Sequence, residues 1–100
     1  MIKHIVMLNL RPEHDAAELA AIMAGLDALE IKGFSGFSHG PNRDIENKSP
    51  DYPYGFICNF TDLEGLRRYA SDPAHGALGA RLVALCEGGA DGIMVMDLDV

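Results

Sequence analysis

Two polar aromatic residues, Tyr69 and His75, flank the dipeptide Asp72-Pro73. Proline lacks the N–H that a continuing helix needs but suits a first helical position, so one helix ends and another begins here. Each aromatic residue lies on the apolar side of its own predicted helix, where a polar group needs a hydrogen-bond partner or has a functional role. A neutral His75 imidazole can take a proton from carbon or oxygen, and the Tyr69 hydroxyl can stabilise the resulting oxyanion. We therefore predict that this pair is catalytic.

Two helices are predicted to position the pair. The first begins after Thr61 or Asp62, since either can act as N-cap and Glu64 stands at the capping-box distance from Thr61. The second begins at Pro73 with Asp72 as its N-cap. The apolar positions with helical spacing are Leu63, Leu66, Tyr69 and Ala70 in the first helix, and His75, Leu78, Leu82 and Leu85 or Cys86 in the second.

The rest of the chain is predicted to supply four strands and one more helix. Alternation indicates strands over 2–10, 54–60 and 93–100, and a weak, bulged or edge strand over 34–40, where glycines interrupt the pattern. The clearest helix covers 15–29, with Asp15 as cap and Glu18 completing a capping box. Residues 41–53 are predicted to form a long loop, and residues 88–92 a turn. This order predicts an α+β fold, the ferredoxin-like split βαβ, with a four-stranded antiparallel sheet and helices on one face.

The strand faces that point toward the helices should form a binding space. Together with Leu63, Leu66 and Leu78 of the helices, we expect the following strand residues to contact a substrate: His4, Val6, Leu8, Tyr54, Phe56, Cys58, Val95 and Asp97. Three titratable residues and a phenol then converge on one apolar space, as they do in functional clefts. Either Asp97 or His4 can hold the tautomer of the His75 ring.

The opposite strand faces are also apolar. They carry Ile5, Met7, Ile57, Met94, Met96 and Leu98. A patch of that size is unusual on a monomer, so we expect a second copy of the chain to cover it, sheet against sheet.

Composition excludes several functions. The chain has 100 residues, a net charge of −7 and only 8 Lys and Arg, which suits a single domain over 1–100 and argues against binding to nucleic acid. It contains no run of about 18 apolar residues and no signal-peptide pattern, so we expect a cytoplasmic protein without membrane contact. Cys58 and Cys86 have the spacing of neither a metal knuckle nor a disulfide framework, and we interpret both as reduced packing residues.

No cofactor or metal site is expected. His14, His39 and Asp44 lie in or beside loops and lack ligand spacing. The glycine-rich segment 88–92 follows a helix instead of preceding one, which is the wrong side for cradling a phosphate.

The sequence resembles the stress-responsive dimeric α/β-barrel family, called Dabb. The resemblance rests on Lys3-His4-Ile5-Val6, Gly40-x-Asn42, Phe60 with Leu63 and Leu66, Tyr69-x-x-x-Pro73-x-His75, and Asp97 in the last strand. It implies a homodimer whose two sheets close into a barrel, with a cavity between each sheet and its helices. It does not imply one activity. A distantly similar plant branch contains polyketide (olivetolic acid) cyclases that use a Tyr and a His at the positions of Tyr69 and His75, whereas other members have no assigned chemistry.

Two functions stay open. One is a cofactor-free cyclase, lyase or isomerase that acts on a small apolar, oxygen-bearing molecule. The other is a non-catalytic, stress-responsive structural protein whose dimer is the functional object. An open cavity between sheet and helices favours the first, whereas a space filled by Phe56, Leu66 and Leu78 favours the second.

Overall fold

The computed structural model describes residues 1–100 and has the predicted α+β ferredoxin-like fold. Four antiparallel strands form one sheet in the order β2-β3-β1-β4. The strands are β1 (Ile2–Leu8), β2 (Phe34–Pro41), β3 (Tyr54–Phe60) and β4 (Ile93–Asp99). The helices are α1 (Ala16–Asp27), α2 (Leu63–Ser71) and α3 (Pro73–Val83), and a short 3-10 helix (Gly89–Gly92) precedes β4. No helix has both the length and the apolar composition needed to cross a membrane.

The register of the sheet places the candidate residues in rows. His4 lies opposite Cys58 on β3 and opposite Asp97 on β4. The next row toward the end of β1 joins Val6 to Phe56 and Val95. Because directly opposite residues share a face of an antiparallel sheet, both rows face the helical layer.

Strand β2 is the bulged edge strand that its composition predicts. Its pairing with β3 shifts between Ser35 and Ser38. Gly36 lies in the shifted segment with a φ of +65°, a conformation that glycine adopts at little steric cost. The bulge keeps Phe34 and Phe37 packed against buried residues of the core.

Two of the helix starts differ from their predicted capping boxes. Asp15 caps α1 by accepting from the N–H groups of Ala17 and Glu18, but the Glu18 carboxylate pairs with Arg81 of α3 at 2.6 and 3.0 Å. The reciprocal half of that capping box is therefore wrong, because the cross-helix ion pair takes the carboxylate. Of the two possible caps for α2, Asp62 is used, and it accepts from the N–H of Gly65 at 2.9 Å.

The sheet face away from the helices, hereafter the outer face, is apolar and partly open to solvent. Its residues are Ile5, Met7, Ile57, Met94, Met96 and Leu98. Four of them are large side chains with exposed fractions between 39% and 52%: Ile57, Met94, Met96 and Leu98. This is the second apolar set that the alternation of the strands predicts.

Candidate functional site

A cavity of about 410 Å³ lies between the sheet and the corner of α2 and α3. Its lining is mainly hydrophobic, and the polar side chains that reach it are His4, Tyr69, His75 and Asp97. The volume is within the range of about 300–1,000 Å³ that is typical of small-molecule pockets.

Asp72 builds the corner that joins Tyr69 to His75. It ends α2, where its N–H donates to the carbonyl of Tyr69 at 3.2 Å, and it caps α3, where its carboxylate accepts from the N–H of His75 at 3.0 Å. Pro73 occupies the first turn of α3, as the sequence predicts. The corner brings the two rings together, with centroids 3.8 Å apart and planes inclined by 35°.

Tyr69 is held in an aromatic cluster and is only 2% exposed. Its ring packs against Phe60 at a centroid distance of 5.0 Å, His4 at 5.3 Å and Phe34 at 5.7 Å. Burial raises the pKa of the Tyr69 phenol well above its ordinary value of 10, and the neighbouring Cys58 and Asp97 raise it further. The hydroxyl therefore stays protonated near neutral pH and remains a hydrogen-bond donor.

His75 has the opposite shift. Burial lowers its pKa from the ordinary value of 6.5, and the positive charge that His4 can carry lowers it further. The Asp72 carboxylate and the Tyr69 carbonyl oppose the shift, but Nδ1 of His75 is buried and forms no hydrogen bond. Burial is therefore the main reason that the neutral form of His75 is favoured.

Asp97 hydrogen-bonds His4 across the β1–β4 pair. Oδ1 of Asp97 lies 2.5 Å from Nδ1 of His4, and the two residues are direct partners in the register. Neither residue hydrogen-bonds His75, so the expected direct support of its tautomer is wrong. The carboxylate instead fixes the orientation of the His4 ring, which is 7% exposed and packs edge-on against Phe60 and Tyr69.

The structure brings most of the predicted site residues to the cavity. Those that line it are His4, Val6, Phe56, Leu66, Tyr69, His75, Val95 and Asp97. Four further residues that line the cavity were not predicted from the sequence, namely Ala70, Gly79, Leu82 and Ile93. Periodicity offered a way to find three of them, because Gly79 and Leu82 follow His75 by four and seven residues and Ile93 shares a face with Val95.

Five predicted contact residues lie outside this cavity. Leu8 and Cys58 are buried in the core, at 0% and 1% exposure, and Tyr54 lies with its hydroxyl 2.6 Å from Nδ1 of His39. Leu63, the first residue of α2, is 55% exposed. Leu78 faces α1, where it packs against Gly25.

Burial also keeps the two cysteine thiols protonated. Both cysteines are free and buried. Burial raises the pKa of the Cys58 thiol to about 12, and the Asp97 carboxylate contributes.

The His, Cys, Asp and Glu side chains form no group of three or more with the geometry of a metal site.

The comparison with known proteins agrees with this architecture. Residues 2–100 match the family described as the Stress responsive A/B Barrel Domain, Dabb. The chain belongs to the Dabb family. A dimeric ferredoxin-like protein of unknown function from Jannaschia sp. CCS1 is 50% identical to this Dabb protein, with a TM-score of 0.93 over 99% of this chain and 98% of that chain.

More distant structures share the fold of this Dabb protein. At3g17210 from Arabidopsis thaliana is 20% identical, with a TM-score of 0.85 over 100% of this chain and 95% of that chain. The hydroxynitrile lyase from Passiflora edulis is 13% identical, with a TM-score of 0.82 over 99% of this chain and 92% of that chain. No curated protein has a matching sequence.

Proposed function

We propose that this Dabb protein binds a small, mostly apolar, oxygen-bearing molecule in the cavity and removes a proton from it without a cofactor. His75 is the general base, and Tyr69 is the hydrogen-bond donor to the oxygen that becomes negative. The observation that carries the proposal is the Tyr69–His75 pair itself, whose ring centroids lie 3.8 Å apart, with planes inclined by 35°, at the wall of a largely apolar cavity of about 410 Å³.

The two protonation states support this assignment. A general base must be neutral, and burial lowers the pKa of His75. An oxyanion partner must keep its proton, and burial raises the pKa of Tyr69. When His75 takes a proton from the carbon beside a carbonyl, the C–H electrons form the carbon–carbon double bond of an enolate. The carbonyl oxygen gains the negative charge and accepts a hydrogen bond from Tyr69.

Enolate formation is common to several reaction classes. Aldol-type or Claisen-type closures and isomerisations can begin with such a step, so the site supports a cyclase, lyase or isomerase. In this scheme His4 and Asp97 are positioning residues. Their hydrogen bond holds the His4 ring against Tyr69, and a positive charge on His4 disfavours a second positive charge on His75.

The non-catalytic alternative has less support. A space filled by Phe56, Leu66 and Leu78 would favour it. Instead, Phe56 and Leu66 line an open cavity, and Leu78 packs against α1. A purely structural role offers no reason for an unpaired, buried imidazole nitrogen at the wall of a cavity.

We also propose that the protein is a homodimer joined through the outer face. Ile57, Met94, Met96 and Leu98 are exposed there. Burial of such a patch against an equivalent patch supplies the hydrophobic free energy that a symmetric interface needs. The Jannaschia protein, which is 50% identical, is dimeric.

Deuterium exchange tests the proposed chemistry without knowledge of the natural substrate. Phenylacetone in D₂O reports proton removal beside a carbonyl, because each enolisation replaces hydrogen by deuterium. His75→Ala should lower the protein-catalysed rate by about 10² to 10⁴, and Tyr69→Phe should lower it by a similar or smaller factor. His39→Ala and Tyr52→Phe are controls outside the cavity and should retain the rate. Exchange that is absent, or that survives His75→Ala, would contradict the proposal.

A further inference from the structure

Gly79 is an unusual residue to find in the interior of α3. Glycine destabilises a helix relative to alanine because it loses more backbone freedom on folding. Packing does not require it, since a Cβ built at position 79 meets no atom within 4 Å. Its φ also lies outside the left-handed region that favours glycine. Gly79 does line the cavity, so the volume that a side chain would occupy at this position is part of the cavity.

The cavity has a polar end and an apolar end. His4 and Asp97 form one row of the sheet, Val6 and Val95 form the next, and Ile93 lies one row further on. At about 3.4 Å per residue along a strand, the distance from His4 to the row of Ile93 is about 14 Å. The lining is therefore polar at the Tyr69–His75 corner and apolar near Ile93.

Gly79 lies between the two other residues that α3 brings to the cavity wall, His75 and Leu82. Helix α3 carries His75, Gly79 and Leu82 to the cavity wall in that order. At a rise of about 1.5 Å per residue, Gly79 is about 6 Å beyond His75 along the helix axis, and Leu82 is about 10 Å beyond it. A ligand whose oxygen reaches the Tyr69–His75 pair and whose body extends along α3 toward Leu82 must pass Gly79.

We propose that Gly79 sets the size of ligand that the site accepts, and that the ligand carries an oxygen-bearing head group on an apolar tail or ring. This inference depends on the proposed function, because it assumes a molecule with its oxygen at the Tyr69–His75 pair. The helix retains a residue that weakens it because any side chain at position 79 would occupy the space of that tail.

Helix α3 contains a matched control for Gly79. Gly76 lies three residues earlier, is exposed and does not line the cavity, and a Cβ built there also meets no atom within 4 Å. Alanine at either position should raise the unfolding midpoint by roughly 4–8 °C, since both changes remove a helix glycine without a clash. The two positions should differ only in what they do to the cavity.

The experiment measures the affinity of 4-pentylphenol and of phenol by calorimetric titration. The proteins compared are the wild type, Gly79→Leu, Gly79→Ala and Gly76→Leu. Gly79→Leu should weaken the binding of 4-pentylphenol at least tenfold and that of phenol much less, because phenol leaves the middle of the cavity free. Gly79→Ala should have an intermediate effect, and Gly76→Leu should remain within twofold of the wild type.

The outcomes separate the two proposals. Failure of the wild type to bind 4-pentylphenol would contradict the proposed function itself. Binding that is equally strong in the wild type and in Gly79→Leu would overturn the role of Gly79 and leave the proposed function standing. A lower unfolding midpoint for Gly79→Ala beside a higher one for Gly76→Ala would show that packing needs the glycine, and would also overturn its role in selection.

Discussion

Tyr69 and His75 have pKa shifts of opposite direction that share one main cause. Burial disfavours the charged form of each group, so it raises the pKa of the phenol and lowers the pKa of the imidazole. A neutral acid and a neutral base therefore stand side by side near pH 7. Asp97, whose carboxylate is hydrogen-bonded to His4, adds to the raised pKa of Tyr69.

The lowered pKa of His75 predicts a pH dependence of stability. The unfolded chain binds the proton at the ordinary pKa of 6.5, whereas the folded chain resists it, so the unfolded state holds more protons in the window just below that value. The free energy of unfolding should therefore decrease as the pH falls from 7 through 6.5 toward the lowered pKa. Urea titrations at a series of pH values measure it. His75→Gln should remove this contribution and His39→Gln should retain it, and identical profiles for His75→Gln and the wild type would contradict the assignment.

Cys58 should be chemically inert despite lying beside the site. A thiol whose pKa is raised to about 12 carries almost no thiolate at neutral pH, and Cys58 is only 1% exposed. We expect Ellman's reagent to label neither cysteine in the native protein and both in guanidinium chloride. Rapid labelling of the native protein would show that the sheet does not protect the thiol as described.

At the scale of elements, the Asp72-Pro73 corner connects local sequence to the site. Both features that it needs, a helix stop and a helix cap, are visible in the sequence, and the structure has both. Alternation along the strands likewise places His4, Val6, Phe56, Val95 and Asp97 on one face. Alternation identifies the face but not the helix that covers it, which is why Leu8 and Cys58 were assigned to the cavity. Gly79 was missed because its contribution is the space left by an absent side chain.

Removal of the cap at the corner should affect both stability and the site. Asp72→Ala deletes the acceptor for the N–H of His75 and should cost about 1 kcal/mol of stability. Asp15→Ala removes the equivalent cap of α1, away from the cavity, and should cost a similar amount. Only Asp72→Ala should also reduce phenylacetone exchange, because it loosens the backbone that holds His75. Equal exchange rates in the two variants would show that the corner does not position the base.

At the scale of the whole molecule, the two faces of the sheet have separate roles. The inner face supplies the cavity and the core, and the outer face presents apolar side chains to solvent. A single copy leaves that outer face exposed, which is the physical reason to expect a dimer. The predicted cytoplasmic location remains a prediction.

A charge on the outer face should separate the proposed dimer. Met96→Glu places two carboxylates in a symmetric interface without compensating partners, so the variant should sediment as a monomer at micromolar concentration. Ile45→Glu introduces the same charge at a loop residue that is 93% exposed, and should remain dimeric. Sedimentation velocity distinguishes the states. A wild-type protein that sediments as a monomer, or a Met96→Glu protein that stays dimeric, would contradict the proposed interface.

The four histidines allow the most direct test of the proposed site. Nitrogen-15 NMR of the imidazole rings, recorded with and without 4-pentylphenol, reports on all of them in one sample. Only His4 and His75 line the cavity, and His14 and His39 lie outside it. We predict that the phenol shifts the resonances of His4 and His75 and leaves those of His14 and His39 unchanged, with His75 neutral at pH 7. Shifts confined to His14 and His39, or a protonated His75 at pH 7, would contradict the site proposed for this protein.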